Sequence, residues 1–210
     1  MAGCGKGGVW LEVLFEREEC RVTLLTFDTD RKEIEEVIAL FERVSSEQCW
    51  QPGDQLRAYP SSSKYFILTV GDVLAGALQM VVGGTTEGLP CLAVWPELDL
   101  QDQSEVADIA LLALHEGYRG QRKLFWLLCV EAWRYCVRHY ICEIWVEATP
   151  RKIEIYQRLG WPLQVEGPLR SQWGEYCHPC RMTIEAFGEI MQTRAQRSHL
   201  YRQIVEQMYR

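Results

Sequence analysis

Positive charge is scarce in this 210-residue chain: 22 lysines and arginines face 29 aspartates and glutamates, a formal net charge of −7. A cationic surface is what engages phosphates or anionic headgroups, so non-specific nucleic-acid or membrane-surface binding is excluded as the main activity, and only a local basic patch is left open. Long apolar runs are missing as well. No uninterrupted stretch approaches the roughly 20 residues that cross a bilayer, and Met1 to Gly8 lacks the basic-then-apolar order of a signal peptide. No membrane span and a cytoplasmic location are therefore expected. No internal repeat or low-complexity tract is evident.

Regular cysteine pairing is also lacking. The nine cysteines fall at positions 4, 20, 49, 91, 129, 136, 142, 177 and 180 without the repeated close pairs of a disulfide scaffold, and read as thiols of a reducing compartment. Cys177 and Cys180 frame a CxxC, but no second pair at finger-like spacing completes four ligands, so no metal is expected. What the chain does have is apolar mass: it is 48% hydrophobic with eight tryptophans, which excludes disorder. Its length corresponds to roughly 1.4 typical domains, favouring one substantial domain with a terminal extension.

After a Gly-rich leader, Val9 to Phe15 and Cys20 to Phe27 read as short apolar, strand-like runs. Asp30 is placed to N-cap a helix over Arg31 to Val44, where Ile34, Val37, Ile38, Leu40 and Phe41 recur at helical spacing. Ser45 to Ser63 is polar and turn-rich, a surface loop placed to cover a site. Tyr65 to Val70 and Val73 to Val82 form a hairpin about Gly71-Asp72. Leu92 to Trp95 is a short apolar run and Val106 to Leu114 a longer strand. A helix over Gln121 to His139 and a strand over Ile141 to Ala148 follow, the strand carrying Glu143 and Glu147 on the face of Trp145. Pro150 opens a short helix that Gly160 caps. Two closing strands, Trp161 to Val165 and Cys180 to Ile184, precede an amphipathic tail able to dimerise or to pack on its own domain.

The segment Asp108 to Trp161 carries the chemistry. Strand, Tyr118-Arg119-Gly120-Gln121-Arg122 turn, helix, strand, and the tract Tyr156-Gln157-Arg158-Leu159-Gly160-Trp161 together resemble the GNAT superfamily of N-acyltransferases. In that family an RxxGxG turn receives the pyrophosphate of coenzyme A on backbone N–H groups and a helix N-terminus, where unsatisfied donors and the helix dipole attract an anion. Arg119 matches the first position of the pattern, and its two glycine positions fall on Arg122 and Leu124. The resemblance implies an α/β fold with a GNAT-like mixed, mostly antiparallel sheet flanked by helices over residues 1–190, with 191–210 as the tail. It assigns Leu114, Arg119, Gly120, Gln121, Arg122, Lys123 and Leu124 to the donor cradle and Tyr156 to protonating the departing thiolate.

Most of the chain is also similar to the acyl-homoserine-lactone (autoinducer) synthases and the related N-acyl amino acid synthases. The similarity rests on Leu74 to Val82, on Asp108 to Leu114 before Tyr118-Arg119-Gly120, and on Leu159-Gly160-Trp161-Pro162 followed by Gly167-Pro168. That branch carries an ExxR pair where Asp108 and Leu111 stand here, and an arginine where Gln79 stands, so homoserine-lactone synthesis is not implied. What the likeness implies is transfer of an acyl group, of medium or long chain, from an acyl-CoA or a phosphopantetheinyl acyl carrier protein to the amine of a small amino-acid-like acceptor. For the base that such a transfer needs, Asp108, Glu143 and Glu147 are the candidates, on strands expected to border the acyl cleft. His115, at the strand end beside the turn, is a further candidate base but reads first as a capping or surface histidine, and Trp126, Trp133 and Tyr135 read as core. A non-catalytic acyl-CoA-binding or regulatory module of the same fold is the alternative.

Overall fold

The computed structural model describes residues 12–17, 19–26, 31–51, 53–100 and 102–209. In chain order the elements are β1 (Glu12–Arg17), β2 (Cys20–Thr26), α1 (Arg31–Gln48), β3 (Ser63–Val70), β4 (Val73–Val82), α2 (Pro90–Val94), β5 (Val106–Leu114), α3 (Arg122–Arg138), β6 (Glu143–Ala148), α4 (Pro150–Leu159), β7 (Gln164–Val165), β8 (Arg170–Gln172), β9 (Glu175–Thr183), α5 (Ile184–Ala195) and α6 (His199–Met208). The strands line up as β1-β2-β3-β4-β5-β6-β9-β7, with β8 on the first residues of β9. Every pairing is antiparallel except β5 with β6. The mixed, mostly antiparallel α/β architecture expected from the sequence is the one observed. Asp30 as helix cap and Val9 to Leu11 as strand lie outside the described residues.

Two cores sandwich the sheet, and strand alternation assigns the residues to them. On one face Ile34, Val37, Ile38 and Phe41 of α1 meet Leu25, Tyr65, Ile67 and Ala77. On the other, α3 lies against Leu24, Phe66, Leu78, Met80 and Ile144. Helix α3 is buried nearly all round, from Leu124 to Cys136, because α5 and α6 cover the side it turns away from the sheet. Residues 184–208 are therefore two helices that share the α3 core through Phe187, Met191, Ile204 and Met208. The boundary drawn at residue 190 falls within α5, and the amphipathic face of the tail is turned inward.

Several local expectations change. α1 runs on to Gln48, and a 3₁₀ turn at Gly53–Arg57 that buries Leu56 interrupts the following loop. Leu92 to Trp95 belongs mostly to α2, opened by Pro90, whose missing N–H costs nothing in a first turn. Of the two closing strands, the first shrinks to the two-residue β7 and the second is the end of a longer β9, which starts at Glu175 and pairs with β6 on one side and β7 on the other. Among the described residues no helix is long and apolar enough to cross a membrane.

Candidate active site

The site begins where a pair of strands comes apart. β5 and β6 pair only at Val106↔Glu143, Ala107↔Ile144 and Asp108↔Trp145, although β5 continues to Leu114 and β6 to Ala148. Against β4, Met80 pairs with Ile109 and Gln79 with Leu111, leaving Ala110 as an extra residue on β5. Such a bulge bends its strand and increases the local twist, and it falls two residues past the last contact with β6. It also shifts the alternation: Ile109 joins the α3 core while Leu111 joins the α1 core.

Between the parted strands lies a void of about 100 Å³ that runs through the sheet. Ile109, Leu112, Val146, Tyr156 and Trp161 line it towards α3 and α4, and Leu111, Glu147, Gln172, Trp50 and Trp173 towards the other face. Trp161 and Ile109 separate it from a smaller apolar hollow of about 10 Å³ among Cys129, Ala132, Trp133, Met182 and Phe187. A wider groove of about 630 Å³ lies at the opposite end of β5 and β6, walled by Glu97, Asp99, Asp102, Glu105, Glu143 and Glu166. That acidic wall is unsuited to a phosphorylated ligand.

Past the C-terminal end of β5 the chain makes a 3₁₀ turn, Glu116–Tyr118, and enters α3. His115 caps the turn, its Nδ1 accepting from Gly117 N–H at 3.3 Å. Gly120 has φ +84°, a left-handed conformation that a side chain would strain. Tyr118, Arg119, Gln121 and Leu124 donate their N–H groups within the turn, whereas those of Gly120, Arg122 and Lys123 have no partner among the described residues. The N-cap Gln121 makes no capping bond, and the first turn of α3 carries no acid. Two cations, Arg122 and Lys123, thus sit at the positive end of a 17-residue helix beside three free donors. That arrangement is unfavourable until an anion arrives.

The Arg119 side chain does not join this cradle. Its guanidinium donates to Leu114 O at 3.1 Å and ion-pairs with Glu47, tying the turn to α1. Leu124 is core. Of the seven cradle residues expected, then, Gly120, Arg122 and Lys123 offer free donors, while Leu114, Arg119, Gln121 and Leu124 shape the turn.

On α4, Tyr156 stacks on Trp161 with ring centroids 4.8 Å apart, and its hydroxyl has no hydrogen-bond partner among the described residues. Burial pushes the phenol up to about 12, so it stays protonated at neutral pH. The helix that carries it starts at an N-cap, Thr149, whose hydroxyl accepts from Lys152 N–H, and ends at Gly160 with φ +100°. Lys152 reaches back to Glu175 at 2.8 Å with its ammonium 4.4 Å from the centre of the Trp50 ring. Cys177 also lines the void, but burial pushes its thiol up to about 11, leaving it protonated and unfit as a nucleophile.

The three carboxylates separate. Glu143 is bound to Arg181 at 2.9 Å and lines the acidic groove, so the structure does not bring it to the cleft. Glu147 is on the cleft wall. Asp108 is wholly buried behind it, with Oδ2 accepting from Cys91 N–H at 2.8 Å. Trp50, Lys152, Gln172, Trp173 and Glu175 were not singled out from the sequence. Only Trp50 carried a signal, as an aromatic in the loop expected to cover a site; Gln51 N–H bonds Trp173 O at 2.8 Å, and Trp50 itself lines the cleft.

No family model and no curated protein matches this chain. Solved structures do. FeeM, an N-acyl amino acid synthase from uncultured soil microbes, superposes with a TM-score of 0.67 over 81% of this chain and 93% of that one, at 14% identity. The AHL synthase LasI gives 0.62 over 84% and 91% at 14% identity. BjaI, a CoA-dependent acyl-homoserine lactone synthase solved with SAM and isopentyl-CoA, gives 0.62 over 81% and 87% at 10% identity. The GNAT-like fold expected from the sequence is thus the fold of this chain.

Proposed function

We propose that this chain is an N-acyltransferase that moves an acyl group from a coenzyme A or acyl-carrier-protein thioester to the amine of a small amino-acid-like acceptor by direct attack. The observation that carries the reading is a coincidence of two features. β5 and β6 part at Asp108, and β5 then leads to a helix start whose free Gly120, Arg122 and Lys123 N–H groups seek an anion. The fold shared with FeeM and BjaI supports the amino-acid acceptor and the CoA donor respectively.

Each part has a task. The cradle donors and the Arg122 and Lys123 side chains hold the phosphates of the donor. Past Asp108, β5 makes no backbone bonds with β6, leaving an edge on which the amides of a pantetheine arm can pair as an added strand would. Tyr156 donates its proton to the departing sulfur. At about 12 it is a weak acid for a thiolate whose thiol has an ordinary value near 8.5. A thiolate formed in the same dry cleft is raised by the same desolvation, which narrows the gap. Glu147 takes a proton from the attacking nitrogen, and Lys152 is a cation within reach of an acceptor carboxylate. The void, about the liquid volume of three or so water molecules, admits a short acyl group; a medium or long chain needs Trp161 displaced.

Free-thiol release from acyl-CoA and acyl-carrier thioesters, with and without amino acids, tests the proposal. Acceptor-dependent release that is lost in Tyr156→Phe is the expected result. Tight thioester binding without release contradicts it and identifies a binding module.

A further inference from the structure

We propose that Asp108 and Glu147 hold one proton between them and work as a single base, with Asp108, which never reaches the cleft, as the positioning residue that receives the proton Glu147 passes inward. This inference rests on the acyl-transfer reading of the cleft.

The geometry comes from the parting of the strands. Asp108 is the last residue of β5 to pair with β6, and Glu147 lies two residues past its partner Trp145 on the same face. The two side chains therefore meet where the cleft begins. One carboxylate oxygen of each and the Cys91 Sγ lie within 4.8 Å of one another. Asp108 Oδ1 and Glu147 Oε1 are both sealed from solvent, and neither has a donor among the described residues. Two ionised carboxylates cannot stay in contact there, because each loses hydration and repels the other. A proton shared between them satisfies both oxygens.

Lys152, which lines the same void as Glu147, is held by Glu175 at 2.8 Å, and among the described residues the groups facing the pair offer no cation in place of the proton. They are Cys91 at the start of α2, Tyr59 ahead of β3, Gln172 on β8, and Cys177 and Cys180 on β9. Burial first, then the negative charge of the pair, pushes the Cys91 thiol and the Tyr59 phenol up, so both are neutral near pH 7. Burial raises Asp108 to about 6 against the hydrogen bonds from Cys91, and raises Glu147 well above its ordinary value, with the Asp108 charge adding to the effect. The two titrate as one unit with shared steps.

The proton inventory closes. An acceptor entering as an ammonium gives one proton to the cleft-side oxygen of Glu147 while the proton already on Glu147 moves to Asp108. The C–N bond then forms and the C–S bond breaks. Tyr156 protonates the sulfur, the nitrogen's second proton restores Tyr156, and the proton held on Asp108 returns to solvent as product leaves. The net yield is amide, thiol and one proton.

The test uses ¹³C NMR of carboxyl-labelled protein, read from pH 4 to 9 with and without coenzyme A, so it stands independently of turnover. Asp108 and Glu147 should share inflections, at least one of them above the ordinary carboxylate range, and Asp108→Asn should collapse the Glu147 curve to a single step. Independent curves, or a Glu147 curve unchanged in Asp108→Asn, overturn the inference; so does stoichiometric zinc bound through Cys91 in the purified protein. On the most active pair from the thiol-release screen, Asp108→Asn and Glu147→Gln should each lower kcat at least about 10²-fold with the thioester KM unchanged. The double variant should fall no further than the worse single one. Multiplicative losses, or full kcat in Asp108→Asn, overturn the shared base. A wild-type protein that turns over no thioester while its carboxyls titrate together sinks the transfer reading and leaves the proton sharing intact.

Discussion

Replacing Trp161 by alanine tests how the cleft limits its acyl group. The indole is 3% exposed and rests on Tyr156 at 4.8 Å, Phe125 at 6.1 Å and Phe187 at 6.3 Å between centroids. Its Nε1 has no partner among the described residues, so truncation forfeits packing and no hydrogen bond. Large-to-small changes of this kind cost about 3–5 kcal/mol. At about 2–4 °C per kcal/mol for a chain of this size, melting should fall by roughly 6–20 °C. In return the void of about 100 Å³ joins the hollow of about 10 Å³ through the space the ring leaves. Each further methylene held there is worth about 0.8 kcal/mol, or about fourfold in kcat/KM. Thiol release across a series of acyl-CoA lengths should show a short-chain optimum in the wild type and a longer one in Trp161→Ala. An optimum that stays put in a variant still folded by circular dichroism refutes the idea that Trp161 closes the acyl end.

Further outcomes follow from the same contacts. Tyr156→Phe keeps the stacked ring and loses a hydroxyl without a partner, so turnover should fall about 10²–10⁴-fold while thermal stability changes little. Gly160→Ala puts a Cβ 2.7 Å from Met191 Cε and 2.8 Å from Arg194 Nε at φ +100°, so calorimetry should show a loss of at least about 1–2 kcal/mol. Reversing charge with Arg122→Glu and Lys123→Glu should weaken coenzyme A binding by more than about tenfold, and less so at high salt. Stability should also decline at alkaline pH. Burial holds Cys136 and Cys180 up to about 12 in the folded chain, whereas unfolded thiols ionise from about 8.5. The unfolded state thus binds fewer protons above that value, and stability falls with rising pH by up to about 1.4 kcal/mol per unit per thiol. Melting under reducing conditions, compared between the wild type and Cys136→Ala, checks the sign.

Legibility followed periodicity. The β3–β4 hairpin, α3, β6 and α4 were plain because their apolar spacing and caps are local, and Tyr156 and the Gly120 turn came with them. Only the end of β9, from Cys180, was legible: its pattern is broken by Pro179, which faces Glu147 in the sheet, and its first residues pair with the short β8 rather than with β6. The cleft's far wall was equally obscure, since Trp50, Lys152 and the Trp173–Glu175 turn come from three separated segments and meet only through tertiary packing. Glu143 and Glu147 were indistinguishable by strand parity. What divides them is distance along β6, with one at the paired end beside Arg181 and the other beyond the parting. Arg119 looked like a phosphate ligand, yet its partner Glu47 lies 72 residues earlier and no local pattern announces it.

The central claim is tested most directly by titrating ¹⁵N-labelled protein with coenzyme A and following the backbone amides. Saturable shifts at Gly120, Arg122 and Lys123, continuing along β5 from Ile109 to Leu114, are the expected result. Unmoved amides at all of these positions, with coenzyme A and with a phosphopantetheinylated carrier protein alike, would contradict it.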